Sequence, residues 1–226
     1  QITTGASSYR LDVSIDDFAT FLPGFNNLTV NATSQSINSL NAGTQYKYRV
    51  RVVNASGTSA NSNSMTTKTV SIAPDQPGTS IVGANAFTVN WNAVVGAESY
   101  LLDVSTDNFA TFITGFNNKS VNGLSQLVNG LNPGTNYSYR VRAVNAGGIS
   151  VNSLPNSQLT LPEAPQEFKT SDSQPSTIKV SWLPVQSASE YHLEVSSSEV
   201  LVNLVPGYNP KIISGTTNIV VTGLES

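Results

Sequence analysis

Tyr100-Leu-Leu-Asp-Val-Ser105 is the middle one of three versions of a single stretch. Tyr9-Arg-Leu-Asp-Val-Ser14 lies 91 residues before it and Tyr191-His-Leu-Glu-Val-Ser196 lies 91 after it. Tyr100, Leu102 and Val104 alternate with Leu101, Asp103 and Ser105, the period of a strand with one buried face. Other landmarks share the offset. Phe18-Ala-Thr-Phe21 returns as Phe109-Ala-Thr-Phe112, Gly24-Phe-Asn-Asn27 as Gly115-Phe-Asn-Asn118, and Tyr46-Lys-Tyr-Arg-Val-Arg51 as Tyr137-Ser-Tyr-Arg-Val-Arg142. From Tyr9 to Val70, 36 of 62 positions match the residue 91 further on without a gap, so the chain repeats one unit. The third copy has drifted, and Pro206-Gly-Tyr-Asn209 meets Pro23-Gly-Phe-Asn26 after a one-residue insertion.

A unit of 91 residues is too long for a solenoid repeat and suits a small autonomous sandwich. Boundaries fall where strands run into proline, at Ala73-Pro74 and at Pro162-Glu-Ala-Pro165, because proline cannot donate to a sheet ladder. The expected domains are 1–73, 74–162 and 163–226. In the middle one, Phe87, Val89 and Trp91 face inward on one strand, and Tyr137, Tyr139, Val141 and Ala143 on another. Ser138, Arg140 and Arg142 face outward. Runs of this kind predict antiparallel sheets closing on Trp91, Tyr100 and Tyr139, an all-β sandwich. No stretch keeps apolar residues at helical spacing for three turns.

These residues resemble the fibronectin type III domain. The likeness rests on Trp91 with Tyr100 nine residues later, and on Leu131-Asn-Pro-Gly-Thr-Asn-Tyr137 leading into Tyr139-Arg-Val-Arg-Ala-Val-Asn145 and Gly148. Trp182 and Tyr191 repeat the spacing. The resemblance implies seven strands in sheets of three and four, with Tyr46 and Tyr137 as corner tyrosines whose hydroxyls bond nearby backbone. The family's integrin-binding Arg-Gly-Asp triplet has no carrier here. The wording of the copies is also similar to tandem repeats of large secreted surface proteins of gliding or biofilm-forming bacteria.

The counterpart of Trp91 would fall one residue before Gln1, so the first copy is expected to lack its first two strands. The counterpart of Tyr137 would fall beyond Ser226, so the third is expected to lack its last two. Two readings follow: a piece of a longer array, or strand completion between molecules, each end supplying what the other lacks.

Composition narrows the function. Charged residues make up 11% of 226, less than half the roughly 25% of an average soluble chain, and the net charge of -3 offers no field for a phosphate backbone. Ser, Thr and Asn supply the polarity instead, which suits an extracellular or cell-surface setting. No apolar run is long enough to cross a bilayer as a helix. With no cysteine and one histidine, disulfides, thiolate metal sites and sites with two histidine ligands are excluded.

Each candidate for chemistry has a plainer reading beside it. His192 is the sole base for a Ser-His-Asp triad, but it lies between inward Tyr191 and Leu193 and so projects onto the solvated face. Asp16 and Asp17 are adjacent in a turn and do not face each other across a cleft, as paired glycosidase carboxylates must. Asp16, Asp17 and Asp107 offer too few oxygens for Ca²⁺, which takes about 6–8, and read as caps of tight turns. Asp12 with Arg49 or Arg51, and Asp103 with Arg140 or Arg142, read as exposed cross-strand ion pairs worth roughly 0–1 kcal/mol each. Asn27-Leu-Thr29, Asn31-Ala-Thr33, Asn54-Ala-Ser56, Asn118-Lys-Ser120 and Asn136-Tyr-Ser138 fit the glycosylation pattern, which arises by chance in so Asn/Ser/Thr-rich a chain. Pro133-Gly134 and Gly147-Gly148 are turn residues, since no helix follows to cradle a phosphate.

The sequence therefore points to a non-enzymatic spacer segment of a long extracellular repeat protein such as a bacterial adhesin or filament, with no cofactor. Its expected partners are neighbouring repeats, copies of itself head to tail, or an unknown glycan or protein ligand. Phe25, Phe116 and Tyr208 occupy matching loop positions. They either pack under their own loops or stack on a ligand in an adhesion module. A spacer beside a catalytic domain of a secreted polysaccharide-degrading enzyme is the remaining alternative.

Overall fold

A computed structural model describes residues 4–224, and every regular element among them is a strand. The first copy contributes β1 (Ser8–Ser14), β2 (Leu28–Val30), β3 (Gln45–Asn54), β4 (Gly57–Thr58) and β5 (Met65–Lys68). The middle copy contributes β6 (Gly78–Ser80), β7 (Ala86–Asn90), β8 (Ser99–Ser105), β9 (Lys119–Val121), β10 (Ser125–Asn129), β11 (Asn136–Asn145), β12 (Gly148–Ile149) and β13 (Asn156–Leu159). The third contributes β14 (Lys169–Gln174), β15 (Thr177–Ser181), β16 (Tyr191–Leu193), β17 (Lys211–Ile213) and β18 (Asn218–Thr222). Each strand of the first copy begins 91 residues before its counterpart among β8, β9 and β11 to β13. The repeat in sequence is thus a repeat in structure.

The middle copy is a β-sandwich. One sheet runs β10-β7-β6, and the other runs β12-β11-β8-β9 with β13 also on β11. The family resemblance implied four strands in this second sheet, and it has five because the last strand is broken into β12 and β13, both on β11. The period-2 reading of the inward faces holds. Phe87, Val89, Leu102, Val104, Tyr139, Val141 and Ala143 are fully buried, and Trp91 and Tyr100 nearly so. Burying a side chain of this size contributes about 1.5–3 kcal/mol, so these positions carry most of the module's stability.

Contact density divides the chain into two compact units, one of residues 1–78, 89–126 and 138–157 and one of residues 79–88, 127–137 and 158–226. The border crosses the middle copy, so each unit joins part of it to one flanking copy. In the first unit, Leu11, Val13, Val30 and Tyr46 form a core cluster with Tyr9, Leu22, Phe25 and Tyr48 packed against it. The Trp91 ring meets Tyr100 at 5.5 Å between centroids. In the second unit, Val180, Trp182, Leu193, Tyr208, Ile213 and Val221 form the cluster, with Tyr191 edge-on to Trp182 at 5.2 Å.

Residues 34–38 repeat the sequence position of β10 but form no strand. In the middle copy that strand pairs with β7, and no counterpart of β7 exists among the described residues of the first copy. There, Tyr9, Leu11, Val30, Ile37, Tyr48 and Val50 line an open groove of about 530 Å³.

Candidate functional site

The loop after β8 folds back along its own strand. The Val104 N–H donates to the Phe116 carbonyl at 3.0 Å, and the Val104 carbonyl accepts the Ile113 N–H at 2.9 Å. Val13 with Phe25 and Leu22 repeats both bonds in the first copy. The turn that starts the loop is closed by Ser105, whose hydroxyl accepts the N–H groups of Asp107 and Phe109 and donates to Asp107 Oδ1 at 2.7 Å. Asp107 in turn accepts the Thr111 N–H at 2.8 Å and the Thr111 hydroxyl. The Thr111 hydroxyl, then its N–H and the Ser105 hydroxyl, hold the Asp107 carboxyl down at about 2. Asp16 matches it, lowered to about 2 by Thr20 first. Asp16 and Asp107 perform the turn-capping role read from the sequence, whereas Asp17, read the same way, instead pairs with Lys47.

The same loop brings Phe109 and Asn118 over the outer face of the sheet. Arg140 stands opposite Asp103 in register, while Arg142 stands opposite Leu101. Asp103 Oδ2 accepts Arg140 Nε at 3.0 Å and Arg142 Nη2 at 2.9 Å, and Oδ1 accepts the Asn118 N–H at 2.8 Å. The Phe109 ring lies under the Arg140 guanidinium at 4.2 Å, and Arg142 also donates to the Asn118 side-chain oxygen. Asp12, Arg49, Arg51, Asn27 and Phe18 build the same clasp in the first copy.

This corrects the expectation of exposed ion pairs. Asp12 and Asp103 are each 1% exposed, and Ser14 and Ser105 are fully buried although they sit on the outward side of their strands. Alternation assigns them correctly to the outer face. It does not anticipate a loop that covers that face. The clue was the identity of Phe-Ala-Thr-Phe and Asn-Asn between copies whose neighbouring residues differ. Each clasped carboxylate has its lone pairs taken up by guanidinium and backbone N–H groups, which leaves it little capacity for a ligand.

The other candidates are placed separately. Phe116 is 7% exposed and Tyr208 4%, both turned into their own modules, while Phe25 is half-buried against the Leu11–Val13 cluster. The Tyr208 hydroxyl accepts the Thr222 N–H at 3.2 Å, tying the loop to β18. Phe116 and Tyr208 thus anchor their own loops, while the Phe25 ring keeps part of its surface exposed. His192 is exposed, lies opposite Ile212 and approaches the Glu190 carboxylate at 2.9 Å. Asp17 is exposed and paired with Lys47 at 2.5 Å. Among the described residues, no three His, Cys, Asp or Glu side chains are grouped to hold a metal ion. No helix among them is long and apolar enough to cross a membrane. The corner tyrosines do what the resemblance implied, Tyr137 and Tyr46 accepting the Asn132 and Asn41 N–H groups at 2.8 and 2.9 Å. The Tyr100 and Tyr191 hydroxyls, unforeseen, accept the Val94 and Val185 N–H groups at 2.9 Å.

The chain is similar to the mouse fibronectin type III domain-containing protein 7, 30% identical over 194 residues that make up 85% of this chain. It spans a quarter of that relative's length. Among solved structures it is similar to the chicken CNTN1 FN1-FN3 domains, at 16% identity and TM-score 0.34 over 98% of this chain and 80% of that one. A two-domain fibronectin type III segment of chicken tenascin matches at 20% identity and TM-score 0.44, over 71% and 88%. The fibronectin type III domain family matches residues 73–158, the copy whose sandwich and corner tyrosine are described above. Residues 73–158 are thus a fibronectin type III domain, and the sequence of that domain is repeated in part on either side.

Proposed function

We propose that this chain is a non-enzymatic structural segment, a series of sandwich modules that sets distance within an extracellular or cell-surface repeat protein such as a bacterial adhesin or filament. The observation that carries the reading is the duplication of the Asp103 clasp. Its buried carboxylate, two arginines, aromatic ring and capped turn recur 91 residues apart, and both carboxylates are occupied in holding a loop to a sheet. Modules built alike, with their clasp groups turned to holding loops, suit reach better than recognition. Phe116 and Tyr208, the side chains a ligand would need, are withdrawn into cores. The low charge and the Ser/Thr/Asn surface support an extracellular setting.

Stretching single molecules of the full chain tests the reading. The modules should give way one at a time, each complete one releasing roughly 300 Å of chain at about 3.3–3.6 Å per residue. Extension without resolved steps would overturn it. So would retention of the folded chain on a glycan array that is lost when a loop aromatic is replaced without unfolding.

A further inference from the structure

Within the first compact unit, the segment Lys68–Ser71 lies against two turns of the middle copy. Asn145 is 6% exposed, and its side-chain nitrogen donates to the Thr69 carbonyl and to Ser71 Oγ, each at 3.0 Å. Its side-chain oxygen accepts the Gly147 N–H at 2.8 Å. Ser71, 5% exposed, donates to the Val95 carbonyl at 3.1 Å, and Lys68 Nζ meets the Glu98 carboxylate at 2.8 Å. The backbones themselves touch. A Cβ on Gly147 would overlap the Lys68 carbonyl oxygen, one on Gly43 the Val95 carbonyl, and one on Gly96 the backbone of Gly43. Two buried polar side chains with their bonds made, beside three positions that admit no side chain, mark a fitted contact.

The first copy supplies its own comparison. Asn54, at the position of Asn145, closes the same turn by accepting the Ser56 N–H at 2.9 Å. Ser56 stands where the middle copy has Gly147, and its Cβ fills the space that in the middle copy admits the Lys68–Thr69 backbone. The second linker, within the other unit, differs too. Leu159 and Ser189 replace the Lys68–Glu98 pair and Pro162 replaces Ser71. Ser187 stands at the position of Gly96 and donates to the Gly134 carbonyl.

We infer that the Asn145–Gly147 turn, with Val95 and Gly96, is a socket that takes the Lys68–Ser71 segment and locks the first copy to the middle copy as a stiff joint. The socket reads the Thr69 carbonyl and the Ser71 hydroxyl, and Gly147, Gly43 and Gly96 leave room there for backbone only. The inference concerns the joint alone and stands whether the array carries load or ligand.

Residual dipolar couplings measured on the full chain in one aligning medium test it. The amides of residues 4–73 and those of residues 89–126 and 138–157 are expected to share a single alignment tensor. Gly147→Ser, which installs the first copy's own residue, is expected to split it into two while the Trp91 indole and Tyr139 resonances stay in place. Ser71→Ala, in the linker and outside both sandwiches, should loosen the joint in the same direction even if Gly147→Ser disturbs folding. Two tensors in the unaltered chain, or one retained in both variants, overturns the inference.

Discussion

Asp103 takes the Arg142 guanidinium onto its Oδ2 at 2.9 Å while its side chain is 1% exposed, on a sheet face that alternation assigns to solvent. Arg140 reaches the same oxygen at 3.0 Å, and the two arginines keep only 24% and 19% of their side-chain exposure. A carboxylate so enclosed is held by the charges around it and by the Asn118 N–H. Removing it strands two cations.

Asp103→Ala is therefore expected to destabilise the middle module by about 2–3 kcal/mol. That is below the 3–5 of a fully buried pair because the guanidinium groups retain some water. Urea unfolding followed by tryptophan fluorescence checks it. A loss below about 0.5 kcal/mol would return the clasp to the class of surface pairs.

Phe116→Ala should cost about 3–5 kcal/mol, the range for deleting a buried phenylalanine. The change should appear as a lowered urea midpoint with the loop 106–118 loosened in hydrogen exchange. Phe25→Ala, at a half-buried ring, should cost less.

The turn carboxylates set an acid limit. Asp16 and Asp107 lie at about 2 in the folded chain against an ordinary 3.8, so the unfolded chain takes up their protons first. Their contribution is complete above 3.8 and is lost as the pH falls through about 2. Thr111→Val removes the main cause at Asp107. The acid limb of a stability-against-pH curve should then become shallower between those values, with little change in its slope near neutrality.

Tyr137→Phe deletes only a hydroxyl and leaves the Asn132 N–H without its acceptor, at a cost of about 1–2 kcal/mol. A thermal unfolding scan that shows no drop in midpoint would mean that water replaces the hydroxyl.

The inward faces were readable because period 2 speaks directly of burial: Phe87, Val89, Leu102 and Tyr139 alternate in sequence and are buried in space. Asp103 and Ser105 misled because alternation tells which side of a sheet a residue occupies and not what lies on top of it. Only the fold-back bonds of Val104 with Ile113 and Phe116 bring the cover into place, and backbone bonds of that kind leave no mark in residue type. The turns were legible as turns from Ser, Asp, Asn and Gly. The left-handed conformation of Phe18 and Phe109, at φ 69° and 67°, was not, because a phenylalanine is a poor choice for it. Their rings rest on Arg49 and Arg140, contacts that only the folded loop reveals.

The clasp has a consequence for recovery after damage. No cysteine exists in the chain, so apolar packing and a carboxylate gripped by guanidinium groups hold the first and middle modules without a covalent cross-link. A module torn apart by shear has no thiols to reoxidise and no wrong pairings to undo. Its refolding therefore does not depend on whether the surroundings are reducing or oxidising.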